Sequence, residues 1–118
     1  MNILVAGGAG FIGSHLCDAL LSKNNTVIVA DKLIMGSKNI EHLSQNTNFK
    51  FYEMELANQD NVDKLFKDNK IDIVYHMAAN SDICKSANDT SIDFNDTLLT
   101  TRALLESMRK NNVKNIFF

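Results

Sequence analysis

Proline is absent from this 118-residue sequence, so nothing in it can act as a proline-stiffened linker. No repeat or low-complexity stretch marks a second domain either. The two cysteines, Cys17 and Cys84, are too few and too far apart for a disulfide framework or a thiolate metal site. No group of His, Cys, Asp and Glu has metal-ligand spacing. The longest apolar runs, Ile3-Leu4-Val5-Ala6 and Val27-Ile28-Val29-Ala30, fall far short of the roughly 20 residues that span a bilayer. Gly7 interrupts the first run too early for a signal peptide. Asn88-Asp89-Thr90 matches a glycosylation acceptor, but without a secretion signal it reads as chance, and a cytoplasmic location is expected. A net charge of −2 gives no electrostatic reason to expect nucleic acid or an anionic membrane as partner.

What is present fits an ordinary globular domain. Hydrophobic residues make up 45% and charged residues 22% of the chain, and its length allows a sizeable core. Short β-type runs alternate with helical patterns. Strands are expected at Asn2–Ala6, Thr26–Ala30, Asn48–Met54, Ile71–His76 and Val113–Phe118. A helix is expected over Phe11–Ser22, with Ile12, Leu16 and Leu20 on one face. A short one is expected over 36–45, with Ile40 and Leu43 facing inward. Val62, Leu65 and Phe66 mark another near 59–68. A long helix near 91–111 carries a stripe of Phe94, Leu98, Leu105 and Met108. Cys84 falls in a loop on this reading. Strands separated by helices imply right-handed βαβ crossovers and a doubly wound α/β fold, three layers deep, with strand order 3-2-1-4-5. Ending on the strand Ile116-Phe117-Phe118 reads as a fragment of a longer protein.

The most specific local signal is Gly7-Gly8-Ala9-Gly10-Phe11-Ile12-Gly13, which opens the first helix directly after the first strand. An early glycine permits the tight turn at positive φ. Gly10 lets the backbone approach a pyrophosphate, and Gly13 lets the helix pack closely on the strand. The helix start offers free N–H groups and a positive dipole end to phosphates. Asp31 ends the second strand, 18 positions beyond Gly13 (31 − 13), near the offset of about 20 expected for a carboxylate that accepts from ribose hydroxyls. That carboxylate would repel a 2′-phosphate and so favours NAD over NADP, whereas the neighbouring Lys32 is a cation able to tolerate the phosphate.

These residues, from Asn2 to Leu16, together with Val74-Tyr75-His76-Met77-Ala78-Ala79, Leu104 to Arg109 and Val113 to Phe118, resemble the extended short-chain dehydrogenase/reductases. Within that group the resemblance is to NAD-dependent nucleotide-sugar epimerases and dehydratases, UDP-glucose 4-epimerases above all. The resemblance covers the whole chain and implies a Rossmann domain binding NAD. It implies backbone N–H contacts from Phe11 and Ile12 to the pyrophosphate and a ribose contact from Asp31. It places Glu55 and Leu56 beside the adenine, Ala78 and Ala79 along the cofactor, and Ser81 near the phosphates or the substrate mouth. Glu55 stands where the family more often has Asp. Thr97 and Thr100 stand where it often has the Asn and Gly of an Asn-x-x-Gly-Thr segment.

The family's Tyr-x-x-x-Lys motif is not in these residues: four positions beyond Tyr52 and Tyr75 stand Leu56 and Ala79. The resemblance therefore makes residues 1–118 the NAD-binding part of a longer enzyme acting on a nucleotide-sugar. The catalytic segment and the substrate domain would follow, and the part itself is expected to be inactive. A homodimer pairing through the helix near 91–111 is implied by the same analogy. A non-catalytic NAD-binding scaffold of the same fold is the other reading, separated from the first by whatever follows Phe118. His76 at a strand end reads as a support for the adjoining loop rather than a general base. No carboxylate partner is assigned to His15 or His42. Asp60 and Asp63 read as charges in the first turn of a helix.

Overall fold

The β-branched and aliphatic runs form the strands, because such side chains fit a pleated surface buried on both faces. The computed structural model describes residues 1–118, in which β1 (Asn2–Ala6), β2 (Thr26–Asp31), β3 (Phe49–Glu53), β4 (Ile73–His76) and β5 (Asn115–Phe117) make one sheet. Its order is β3-β2-β1-β4-β5 and every pairing is parallel. The doubly wound arrangement expected from the sequence is the one observed. Val5 lies opposite Val29 on one side and Tyr75 on the other, so β1 is central, and Ile3 to Ala6 are at most 1% exposed.

Alternation along β1 and β2 feeds two cores. Ile3, Val5, Val27 and Val29 pack with Cys17 and Leu20 of α1 (Phe11–Leu21) and with Ile40 and Leu43. Leu4, Ala6, Ile28 and Ala30 pack on the opposite face. Their partners are Val62, Leu65 and Phe66 of α2 (Gln59–Asp68) and Leu104 and Met108 of α5 (Thr100–Lys110). α2 begins where the Asn58 side chain accepts the Asn61 N–H at 3.2 Å, an N-cap that satisfies one orphan donor. No helix is long and apolar enough to cross a membrane.

Several local expectations are corrected. The segment 36–45 holds only a 3₁₀ turn at Glu41–Leu43, although Ile40 and Leu43 are buried as expected. Gly36 at φ +77° and Leu33 at φ +56° break the chain into turns before a longer helix can propagate. In α1 the buried face is Gly13, Ser14, Cys17 and Leu20; Ile12 is exposed at the first turn. Residues 80–90 are not all loop. Asp82 accepts the Lys85 N–H at 3.2 Å and starts the short helix α3 (Ile83–Asn88), which carries Cys84.

The long helix expected near 91–111 runs without a gap from α4 (Ser91–Asp93) through a π-helical stretch, Phe94–Leu99, into α5, but its apolar stripe is corrected. The Thr100 hydroxyl donates to the Asn95 carbonyl five residues back, at 3.2 Å, which suits the wide turn. Phe94, Leu98 and Leu105 are exposed, and only Met108 of the expected stripe is buried. The buried face is Thr100, Ala103, Leu104, Ser107 and Met108. Small residues there let α5 approach its neighbours closely, so the stripe drawn through the larger side chains was offset.

Candidate functional site

The turn from β1 into α1 is set by backbone crowding. Gly7 has φ +78°, a left-handed conformation that disfavours other residues, and a Cβ there would lie 2.6 Å from the Ala78 nitrogen. The Gly7 N–H donates to the Ala30 carbonyl at 2.8 Å, and the Met77 N–H to the Ala6 carbonyl at 2.7 Å. The glycine turn thus lies wedged between the carboxyl ends of β2 and β4. A Cβ on Gly13 would stand 2.4 Å from the Gly7 carbonyl oxygen, so the helix start rests directly on the turn. Gly10 differs: its Cβ would meet nothing closer than the Gly7 oxygen at 3.4 Å. Protein packing does not demand glycine there, so the missing side chain leaves room above the backbone. The first helical bond runs from the Ser14 N–H to the Gly10 carbonyl at 3.0 Å. The N–H groups of Phe11, Ile12 and Gly13 precede it and point out of the helix start.

Asp31 braces this turn. Its Oδ2 accepts the Ala9 N–H at 3.0 Å and its Oδ1 accepts the Leu33 N–H at 2.8 Å. Asn39 adds a second tie by donating to the Ala9 carbonyl at 3.0 Å. The Lys32 ammonium lies on Asp96 at 2.5 Å and on Glu55 at 3.4 Å. Burial by itself would lower the Lys32 pKa. The hydrogen bonds and charges of the two carboxylates outweigh burial and raise it. Glu55 also accepts the Ala57 N–H at 3.2 Å, while Leu56 beside it is buried.

Beyond β4 the chain is held to the π-helical stretch. The Asn80 N–H donates to the Thr97 hydroxyl at 3.2 Å, and the Asn80 side chain donates to Asp93 at 2.8 Å. His76 is buried and its Nε2 pairs with the Thr101 hydroxyl at 2.8 Å. It supports the helix rather than the loop after the strand. Its Nδ1 is buried without a partner, and burial lowers its pKa. Two other sequence readings change. His42 does pair with a carboxylate, Asp18 at 2.8 Å. Asp63 accepts from Ser107 and Lys110, both at 2.6 Å, and so ties α2 to α5. Those bonds hold its carboxyl at about 2.

A cavity of about 870 Å³ opens where these elements meet. It lies at the carboxyl ends of β1, β2 and β4, the switch point at which doubly wound sheets bind ligands. Eleven of the twelve residues proposed from the sequence line it: Gly7, Gly10, Phe11, Ile12, Gly13, Asp31, Lys32, Leu56, Ala78, Ala79 and Ser81. Glu55 does not; it faces Lys32 at the edge. Around the mouth Phe11, Ile12, Ile34, Met35 and Ile83 are all more than 60% exposed, an apolar concentration typical of a binding surface. Met54, Asn80, Asp96 and Thr100 also line the cavity and were not proposed. Met54 and Asn80 adjoin proposed residues. Asp96 carries no sequence signal, because only the fold brings it to Lys32.

The sequence profile of the NAD dependent epimerase/dehydratase family matches residues 3–118. A dTDP-D-glucose 4,6-dehydratase of Dictyostelium discoideum is 37% identical over 122 residues, covering 99% of this chain and 28% of the relative. A UDP-glucose 4-epimerase of Halalkalibacterium halodurans is 36% identical over 118 residues, covering 100% of this chain and 34% of the relative. The crystal structure of Thermus thermophilus UDP-glucose 4-epimerase in complex with NAD superposes with a TM-score of 0.89 at 34% identity. It covers all of this chain and 37% of that one. The chain therefore spans about a third of the length of the proteins it matches.

Proposed function

The chain belongs to the NAD dependent epimerase/dehydratase family, and we propose that its glycine-turn cavity binds NAD. The observation that carries this is the convergence on one cavity of the open Gly10 backbone, the first N–H groups of α1 and the Asp31 carboxylate. The pyrophosphate lies over Gly10, Phe11 and Ile12, where helix-start N–H groups and the dipole favour negative charge. Asp31 accepts from the adenosine ribose with the lone pairs left by Ala9 and Leu33. Leu56 and Met54 give the adenine an apolar wall, with Glu55 at its rim. Ala78, Ala79 and Ser81 line the far end of the cofactor.

NAD supplies a hydride acceptor and donor. The residues of this chain bind and orient it, and none of them forms the Tyr-x-x-x-Lys proton-transfer motif. We infer that residues 1–118 bind the cofactor without turning it over. In a polypeptide that also carries the remaining two-thirds seen in its relatives, the activity is the transient oxidation of a hydroxyl on a nucleotide-sugar. The relatives named above, an epimerase and a dehydratase, support that substrate class. The exposed face of Phe94, Leu98 and Leu105 supports pairing of two copies through that helix.

Calorimetric titration with NAD tests the cofactor reading, with Gly10→Val as the control. A Cβ at this position meets only the Gly7 oxygen, at 3.4 Å, so the variant is expected to fold and to bind NAD more than about tenfold more weakly. A folded wild-type chain that takes up no NAD, or a Gly10→Val chain that binds as well, overturns the assignment.

A further inference from the structure

We propose that Asp96 is a cofactor-selectivity residue, which excludes NADP by engaging the Lys32 ammonium in an ion pair. The proposal rests on the reading of the cavity as an NAD site and adds a residue to it. Lys32 directly follows Asp31, the carboxylate at the end of β2. A lysine there, on a flexible four-carbon stem, is the natural partner for a phosphate on the adjacent 2′-oxygen.

In this chain that partner is already taken. Lys32 bonds to Asp96 from the π-helical stretch and to Glu55 from the exit of β3. The Asp96 side chain is only 17% exposed, so the pair is partly shielded from solvent and from salt. Lys85, the other ammonium lining the cavity, sits on α3 beside Asp82 at 3.6 Å. Three carboxylates, Asp96 and Glu55 on the lysine and Asp31 next to it in the chain, stand against one ammonium. Two net negative charges (3 − 1) remain there to repel a phosphate dianion. NAD, uncharged at the 2′-oxygen, meets no such penalty. Selection is thus divided: Asp31 repels the 2′-phosphate directly, and Asp96 removes the cation that would offset the repulsion.

The test is a two-residue cycle read as the ratio of NADP to NAD affinity by calorimetry, on wild type, Asp96→Asn and Asp96→Asn/Lys32→Ala. Removing one charge and freeing another at contact distance is expected to raise the NADP:NAD ratio by at least about fivefold in Asp96→Asn. Adding Lys32→Ala is expected to cancel that gain. An unchanged ratio in Asp96→Asn, or a gain that survives Lys32→Ala, overturns the role of Asp96 while NAD binding stands. A folded wild-type chain that binds neither dinucleotide overturns the cavity assignment itself.

Discussion

Replacing Asp31 with alanine removes more than the proposed ribose ligand. Its carboxylate accepts the Ala9 N–H at 3.0 Å and the Leu33 N–H at 2.8 Å, and hydrogen bonds to charged groups contribute roughly 1.5–3 kcal/mol each. The two losses differ. Ala9 is 2% exposed, so its N–H is left without water and costs about 2 kcal/mol. Leu33 is only partly buried and its N–H recovers part of its bond from solvent, a loss of about 1 kcal/mol. The sum is roughly 2–3 kcal/mol, and for a domain of this size that lowers the melting temperature by about 10 °C. Thermal unfolding without ligand measures this brace separately from cofactor binding. Asp31→Asn retains one acceptor oxygen, so its melting temperature is expected between those of Asp31→Ala and wild type. Repeating the melts with NAD at about 100 times its Kd stabilises the wild type by about 2.7 kcal/mol; Asp31→Ala is expected to gain far less. An Asp31→Ala chain that melts within about 2 °C of wild type would falsify the brace, since it implies less than about 0.5 kcal/mol from both bonds.

Two further outcomes follow from packing and titration. Burial lowers the pKa of His76. Above about 6.5 the imidazole is neutral in both folded and unfolded chains. Below that value the unfolded chain takes the proton more readily, so stability declines as pH falls toward the folded value. The urea midpoint is expected to drop between pH 7 and 5.5, and to drop less in His76→Gln; equal declines in both would assign the effect to other groups. Gly13→Ala places a Cβ 2.4 Å from the Gly7 oxygen and 2.8 Å from the Gly8 Cα, both backbone atoms that cannot rotate away. The crowding costs about 1–3 kcal/mol, which exceeds the gain of about 1 kcal/mol in helix propensity once the backbone has to move. A denaturant midpoint above wild type would show that the turn yields more easily than its contacts imply.

The sheet was legible because its strands are buried on both faces and read as continuous apolar runs, and because helical patterns between them force parallel crossovers. Gly7 and Gly13 were legible because each fills a local geometric demand that a single sequence window displays, whereas the bracing of Ala9 by Asp31 was not. The long helix was legible but its buried face was misread for a physical reason: apolar periodicity weighs large side chains, whereas that face carries Thr100, Ala103 and Ser107. The helix α3 was missed because six residues with little apolar pattern depend on the Asp82 cap. Asp96 and Glu55 converge on Lys32 from 64 and 23 residues away in sequence. No window reading finds such a pair; only the closed sheet does.

The bracing of the glycine turn by Asp31, beside its proposed ribose contact, also constrains how this protein can change. A lineage or an engineer seeking to alter cofactor preference at Asp31 must at the same step find a new acceptor for the Ala9 N–H, or lose part of the fold. The Lys32–Asp96 pair bridges surface elements and braces no turn, so substitutions there are open to drift. On the proposed division of selectivity, altered preference is reached first through the partner of the lysine, and the aspartate follows only after another group has taken over the glycine turn.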